Sequence, residues 1–159
     1  IVELDGTSEE VDALLDDVSA IARRCGATSI AVSETEEERQ AHWAGRKNAF
    51  PAVGRISPDY ICMDGTIPRK HLAKVLNGIS KLADKHGLGV ANVFHAGDGN
   101  LHPLILFDAN RPGDMEKAEL FGRDILKLCV SVGGVLTGEH GVGVEKRDLM
   151  HEMFTWISS

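Results

Sequence analysis

An eight-residue segment with a histidine at each end, from His95 to His102, places the strongest constraint on the fold of this chain. Its central Asp98-Gly99 pair is typical of a two-residue type I′ hairpin turn, which needs φ > 0 at both central positions. With the turn centred there, residues whose numbers sum to 197 pair, and His95 lies directly opposite His102 on one sheet face. Facing Cβ atoms in such a pair lie about 4.5–5.5 Å apart, a separation at which two imidazoles can share one metal ion. The simpler alternative is two packed or surface histidines joined by an ordinary tight turn.

Strand-like and helix-like segments alternate along the chain, which indicates a mixed fold. Apolar residues at helical spacing, with capping and acidic residues at the segment starts, predict helices at 8–25, 34–50, 68–86 and 114–130. Strands are predicted at 1–4, 28–33, 60–63, 88–95 and 102–107. Because the hairpin excludes a purely parallel sheet, we predict an α+β domain: a mostly antiparallel sheet with helices packed on one face and with ferredoxin-like elements.

Length and composition bound the class of protein. A chain of 159 residues is most simply one domain, 1–159, and its net charge of −7 argues against nucleic acid or an anionic membrane surface as a partner. Three widely spaced cysteines, Cys25, Cys62 and Cys129, favour a reducing compartment, which we take to be the cytoplasm. No apolar run approaches the roughly 20 residues that span a bilayer, so we expect no transmembrane segment. The chain begins with Ile1 rather than Met, from which we expect a fragment or a processed product.

A glycine-rich loop, residues 133–144, contains an adjacent Glu139 and His140. Glycines let a backbone pass close to a ligand, although a flexible surface loop is the simpler interpretation. A solvated loop does not need the apolar residues, such as Leu136, that lie between these glycines. With the two hairpin histidines, Glu139 would complete a three-ligand metal site with an open coordination position, which is the catalytic arrangement. His140 could then act as a base, provided that the glycines bend the chain, because adjacent residues of an extended segment point in opposite directions.

Arg46 follows Trp43 by three residues, so both side chains can share one face of a helix. A guanidinium suits two-point binding of a carboxylate, which makes Arg46 a candidate substrate ligand. A surface ion pair with Glu38 or another nearby acid explains Arg46 equally well.

Four stretches together resemble the C-terminal substrate domain of the FAD-linked oxidases related to vanillyl-alcohol oxidase. They are residues 43–46, 60–68, 95–102 and 133–146. In order and spacing they are most similar to the flavin subunits of bacterial glycolate oxidases and to D-lactate dehydrogenases. The resemblance covers nearly the whole chain.

The resemblance implies a site and a reaction. It places a divalent metal, expected to be zinc, on the residues that match His95, His102 and Glu139. His140 matches the general base that takes the proton of a 2-hydroxyl group, and Arg46 matches the residue expected to hold the substrate carboxylate. The implied reaction oxidises a small 2-hydroxy acid, glycolate or D-lactate, to a 2-oxo acid, with hydride transferred to FAD.

The resemblance also implies groups beyond this chain. FAD is held mainly by an N-terminal FAD-binding domain that nothing here resembles, so the chain alone is expected to be inactive and no FAD-binding residue is predicted. An iron–sulfur electron-acceptor subunit is a further expected partner, and partner subunits would bring a cytoplasmic protein to the periphery of the inner membrane. The 2-hydroxyglutarate branch carries a lysine where this chain has Cys62, which favours a smaller substrate.

Two other classes of function stay open at this stage. The first is a non-catalytic metal- or carboxylate-binding module. The second is a stand-alone zinc hydrolase, which a His/His/Glu set with open coordination allows, although the HExxH helix of many such hydrolases is absent from the sequence.

Overall fold

The computed structural model describes residues 1–154, and its elements mix helices with one antiparallel sheet, which confirms the α+β prediction. The helices are α1 (Ser8–Arg24), α2 (Glu36–Lys47), α3 (Ala49–Val53), α4 (Leu72–His86), α5 (Asp114–Ser131) and α6 (Met150–Met153). The strands are β1 (Asp59–Cys62), β2 (Gly65–Thr66), β3 (Gly89–His95) and β4 (Asn100–Phe107). Short 3₁₀ turns at Arg69–His71 and Arg147–Leu149 precede α4 and α6. No helix in the described part of the chain is both long enough and apolar enough to cross a membrane.

The chain divides into two compact units, Ile1–Ala49 and Phe50–Ser159. The first unit contains α1, which Thr7 and Glu10 cap reciprocally: the Thr7 N–H donates to the Glu10 carboxylate at 2.8 Å, and the Glu10 N–H donates to the Thr7 hydroxyl at 3.4 Å. The strands predicted at 1–4 and 28–33 were wrong, because both segments are irregular. A strand needs a neighbour for its backbone hydrogen bonds, and neither segment pairs with one among the described residues.

The sheet lies in the second unit, with β4 as the strand that pairs with all the others. β3 pairs with residues 100–106 of β4, β1 with residues 104–107 and β2 with residues 100–101, each antiparallel. The central position of β4 explains why almost every one of its side chains is buried.

The β3–β4 hairpin differs in register from the predicted one. His95 pairs with Asn100, and His102 pairs with Val93, so the paired numbers sum to 195 and not to 197. The prediction that the two histidines lie directly opposite each other was therefore wrong. A shift of two residues nevertheless keeps both on the same face of the sheet, as diagonal neighbours.

The hairpin loop explains this shift. It spans four residues, 96–99, and Gly99 has a φ of 71°, whereas no residue other than glycine has a positive φ in the described chain. A two-residue type I′ turn would also require positive φ at Asp98, a strained conformation for a residue with a Cβ. The longer loop leaves the left-handed conformation to glycine alone.

The core lies on the face of the sheet that α4 and α5 cover. Its members include Leu101 and Ile105 of β4, Val75 and Ile79 of α4, and Phe121 and Ile125 of α5. Because side chains alternate along a strand, the same arrangement turns Asn100 and His102 to the opposite face. One face of β4 therefore packs against α4 and α5, and the opposite face carries Asn100 and His102.

Candidate metal centre

Backbone pairing holds the glycine-rich loop against the sheet. The Val135 N–H donates to the Thr66 carbonyl oxygen at 2.8 Å, and the Thr66 N–H donates to the Val135 carbonyl oxygen at 3.3 Å. Gly134 lies so close to this strand that a Cβ would clash with the carbonyl oxygens of Thr66 and Cys129. The loop is thus a packed part of the sheet and brings Glu139 to the hairpin histidines.

Three side chains predicted as metal ligands converge. His102 Nε2 lies 3.1 Å from Glu139 Oε1, and His95 Nε2 lies 3.7 Å from the same oxygen. The three potential ligand atoms all lie within 4.8 Å of one another. Two ligands of a tetrahedral zinc ion, each about 2.1 Å from the metal, are roughly 3.4 Å apart. The spacing therefore fits a single divalent ion.

His102 is the buried member of this group, with 5% of its side chain exposed. Although its Nε2 is close to Glu139, the two are not aligned for a hydrogen bond, and both ring nitrogens lack a hydrogen-bond partner among the described residues. Burial lowers the pKa of His102 and outweighs the nearby carboxylates of Glu139 and Asp64, which raise it. A neutral, buried imidazole without a hydrogen-bond partner is the form that binds a metal, so the donor set fits a divalent metal ion.

Asn100 connects the hairpin to the third potential ligand. Its Nδ2 donates to Glu139 Oε1 at 2.9 Å, which fixes the orientation of a carboxylate that is otherwise half exposed. Gly138 lies against the same side chain: a Cβ there would lie 2.6 Å from Asn100 Cγ and 2.7 Å from Thr66 Oγ1. Glycine is therefore needed beside Asn100 for Glu139 to reach the histidines.

His140, the predicted general base, lies at the same cluster. Its ring stacks on that of His102, with centroids 5.1 Å apart and an angle of 9° between the planes. The residue is exposed, in contrast to His102. An imidazole that reaches solvent beside a potential metal site can exchange a proton with a bound molecule.

A buried acid, Asp64, holds the segment from which Glu139 and His140 extend. Its side chain is fully buried, and Oδ2 accepts hydrogen bonds from the Thr137 hydroxyl and from the N–H groups of residues 138, 139 and 140. Burial alone would raise the pKa of this carboxyl. The hydrogen bonds from Thr137, His140 and Gly138, together with the Lys146 ammonium, instead hold it below its usual range.

Asp64 and Lys146 are not among the site residues predicted from the sequence. Neither residue carries a clear signal, because Lys146 follows the exposed residues Val144 and Glu145, and an aspartate before Gly65 is also typical of a turn. Their pairing depends on the folded loop, which buries the two opposite charges together.

Arg46, the predicted carboxylate ligand, lies near the end of α2 in the first unit. Both Arg46 and Trp43 are partly buried, as expected for residues on one helix face. The cluster of His95, His102 and Glu139 belongs to the second unit, and the role of Arg46 towards a substrate stays a prediction.

Comparison with known proteins gives this cluster a context. Residues 1–156 match the family described as FAD linked oxidases, C-terminal domain. The chain is 57% identical over 154 residues to glycolate oxidase subunit GlcD of Escherichia coli strain K12, covering 97% of this chain and 31% of that protein. The GlcD subunit of Bacillus subtilis is 36% identical over 146 residues, 92% of this chain and 31% of that protein.

A plant relative extends the comparison. D-lactate dehydrogenase (cytochrome), mitochondrial, of Arabidopsis thaliana is 32% identical over 131 residues, 81% of this chain and 23% of that protein. The chain therefore spans 31% or less of the length of these three relatives. The family match along nearly its whole length shows that this chain belongs to the FAD linked oxidases, in their C-terminal domain family.

Proposed function

We propose that this chain forms the substrate- and metal-binding part of a flavin-dependent 2-hydroxy-acid dehydrogenase that converts glycolate or D-lactate to the 2-oxo acid. The observation that carries the proposal is the convergence of His95, His102 and Glu139 beside the exposed ring of His140. The relatives support the substrate class, since their names are those of glycolate oxidase subunits and a D-lactate dehydrogenase.

In this proposal His95, His102 and Glu139 hold a divalent ion, with zinc the expected metal. The donor set of two imidazoles and one carboxylate leaves a coordination position open, which is typical of catalytic zinc sites. When bound, the ion supplies Lewis acidity towards a hydroxyl group and FAD supplies a hydride acceptor.

His140 takes the proton of the 2-hydroxyl group in the proposed reaction. The α-carbon loses its hydrogen as hydride and the hydroxyl loses its proton to His140, so a C=O group forms and the 2-oxo acid results. His140 suits this role because its ring is exposed and is oriented by stacking on His102. Arg46 is proposed to bind the substrate carboxylate, because a guanidinium can donate two parallel hydrogen bonds to it.

The proposal extends to partners and location. FAD would be held mainly by an FAD-binding domain outside the 31% of the relatives that this chain spans. The word subunit in the names of the glycolate oxidase relatives supports further partners, of which we propose an iron–sulfur electron acceptor. Such an assembly would be cytoplasmic and peripheral to the inner membrane.

The zinc content of the protein produced from the full reading frame that encodes this chain tests the ligand assignment. We expect about one zinc per chain in the wild type and almost none in the His95→Ala/His102→Ala double variant. His151→Ala is the control, because His151 is 61% exposed on α6 and should leave the zinc content unchanged.

Each outcome has a defined meaning. Equal zinc content in the wild type and the double variant would refute the ligand assignment. Zinc bound through the two histidines in a protein that never transfers hydride from 2-hydroxy acids would instead favour the non-catalytic metal-binding module.

A further inference from the structure

One carboxylate oxygen, Asp64 Oδ2, accepts four hydrogen bonds from the loop segment beside the candidate metal ligands. Asp64 Oδ2 lies 2.7 Å from Thr137 Oγ1, 2.9 Å from the nitrogens of Gly138 and His140, and 3.1 Å from that of Glu139. Three successive N–H groups can point at one atom only if the backbone curls around it, as in anion-binding nests. An internal carboxylate therefore takes the position that a bound anion has in such nests.

Lys146 completes this arrangement from the far end of the loop. Its Nζ donates to the Asp64 carbonyl oxygen at 2.8 Å and lies 3.4 Å from Asp64 Oδ2. Both side chains are almost inaccessible, with Asp64 at 0% and Lys146 at 6% exposure. The ammonium balances the buried negative charge and fixes residues 137–146 at both ends.

The curl has a direct consequence for the candidate site. Adjacent residues of an extended segment point in opposite directions, yet Glu139 and His140 both lie against His102. The N–H groups of both residues donate to Asp64 at the point where the chain curls.

We propose that Asp64, paired with Lys146, is a positioning residue that places the metal ligand Glu139 and the base His140 on the same side of the loop. The inference rests on the proposed function, because Glu139 and His140 need to lie on the same side of the loop only if both serve one metal site. It does not require Asp64 to touch metal or substrate.

The test compares Asp64→Asn with Asp114→Asn in the protein from the full reading frame. Asp114 is also a buried aspartate, 9% exposed, but it lies at the start of α5. For Asp64→Asn we expect zinc affinity to fall about 10- to 100-fold, as for other groups that orient metal ligands. We expect kcat for glycolate to fall at least about tenfold with a smaller change in KM, because the base is displaced while the carboxylate contact stays. Asp114→Asn should leave zinc affinity and kcat within about twofold of wild type.

Amide hydrogen exchange of residues 138–140, measured without metal, separates this inference from the proposed function. We expect these amides to lose protection in Asp64→Asn and to keep it in Asp114→Asn. If the wild type bound no zinc, the proposed function would fail while the exchange data would still decide whether Asp64 holds the loop. Unchanged zinc affinity and unchanged protection in Asp64→Asn would overturn the inference.

A milder pair of variants covers the case in which Asp64→Asn does not fold. Thr137→Val removes one donor to Asp64 at nearly constant volume, whereas Thr137→Ser keeps the hydroxyl. We expect a several-fold loss of zinc affinity in Thr137→Val and recovery in Thr137→Ser. Equal affinity in the two variants would contradict the positioning role.

Discussion

At the scale of single residues, the environment of His102 is the clearest indication of a ligand. Burying an imidazole without a hydrogen-bond partner costs about 1–3 kcal/mol, and both nitrogens of His102 lack such a partner among residues 1–154. Neighbours able to share a metal with it lie on two other segments, His95 and Glu139. A bound ion would offset the cost of burial and would account for a histidine at this buried position of β4.

The negative charge of Glu139 is expected to contribute to zinc affinity. Glu139→Gln keeps the shape of the side chain but removes its charge, and we expect zinc affinity to fall at least as much as for an orienting group, about 10- to 100-fold. Glu145→Gln is the matched control, because Glu145 is an exposed glutamate of the same chain segment. Titration of zinc into the metal-free proteins measures both. Similar affinities in the two variants would remove Glu139 from the ligand set.

The candidate site was predictable from the sequence only in part. The sequence predicted His95, His102 and Glu139 as ligands because histidines and a glutamate among glycines stand out, and the structure brings these three side chains together. Asp64 and Lys146 were not predicted, because their role depends on burial and on backbone N–H groups, which a sequence does not display.

At the scale of secondary-structure elements, the hairpin decides how close the two histidines can come. The observed four-residue loop makes His95 and His102 diagonal neighbours, and their rings still reach a centroid distance of 5.5 Å. Diagonal pairs are within reach for aromatic side chains, so the two imidazoles still lie close enough to share a metal ion despite the error in register. An odd shift would have separated the two histidines onto opposite faces.

The left-handed conformation of Gly99 in the hairpin loop is expected to contribute to the stability of the protein. Gly99 has a φ of 71°, and a Cβ there would clash with the Ile67 carbonyl oxygen. The same two residues are joined by a backbone hydrogen bond, in which the Ile67 N–H donates to the Gly99 carbonyl oxygen at 2.9 Å. We expect Gly99→Ala to lower the free energy of unfolding by about 1–3 kcal/mol, as measured in urea. Gly97→Ala in the same loop meets nothing within 4 Å and should change it by less than about 0.5 kcal/mol. Equal effects would show that the loop has another conformation in solution.

Local signals predicted most of the elements, and the two wrongly predicted strands failed for one physical reason. The capping residues and the helical periodicity predicted α1. An apolar segment predicted β1, and helical periodicity that ends at Gly87 predicted α4. The strands predicted at 1–4 and 28–33 failed because β propensity describes a segment, whereas a strand requires a partner from elsewhere in the chain.

At the scale of the whole molecule, the chain supplies only part of the proposed catalyst. It spans 31% of the glycolate oxidase subunits that it resembles, and the flavin that would accept hydride is proposed to lie on another domain. Such a division would account for the exposure of the candidate ligands His95 and Glu139 and the candidate base His140 beside buried Asn100 and Asp64. The exposed side of the cluster is where substrate and flavin would have to meet.

Anaerobic reduction of the flavin by glycolate and by D-lactate tests the central claim most directly. The measurement uses the protein from the full reading frame, zinc-loaded or stripped with a chelator, and follows the loss of the visible absorbance of oxidised flavin. We predict that one of these acids bleaches the flavin of the zinc-loaded wild type, and that bleaching slows at least about 100-fold on metal removal or in His140→Gln. Equally rapid bleaching in the stripped protein and in His140→Gln would contradict the account.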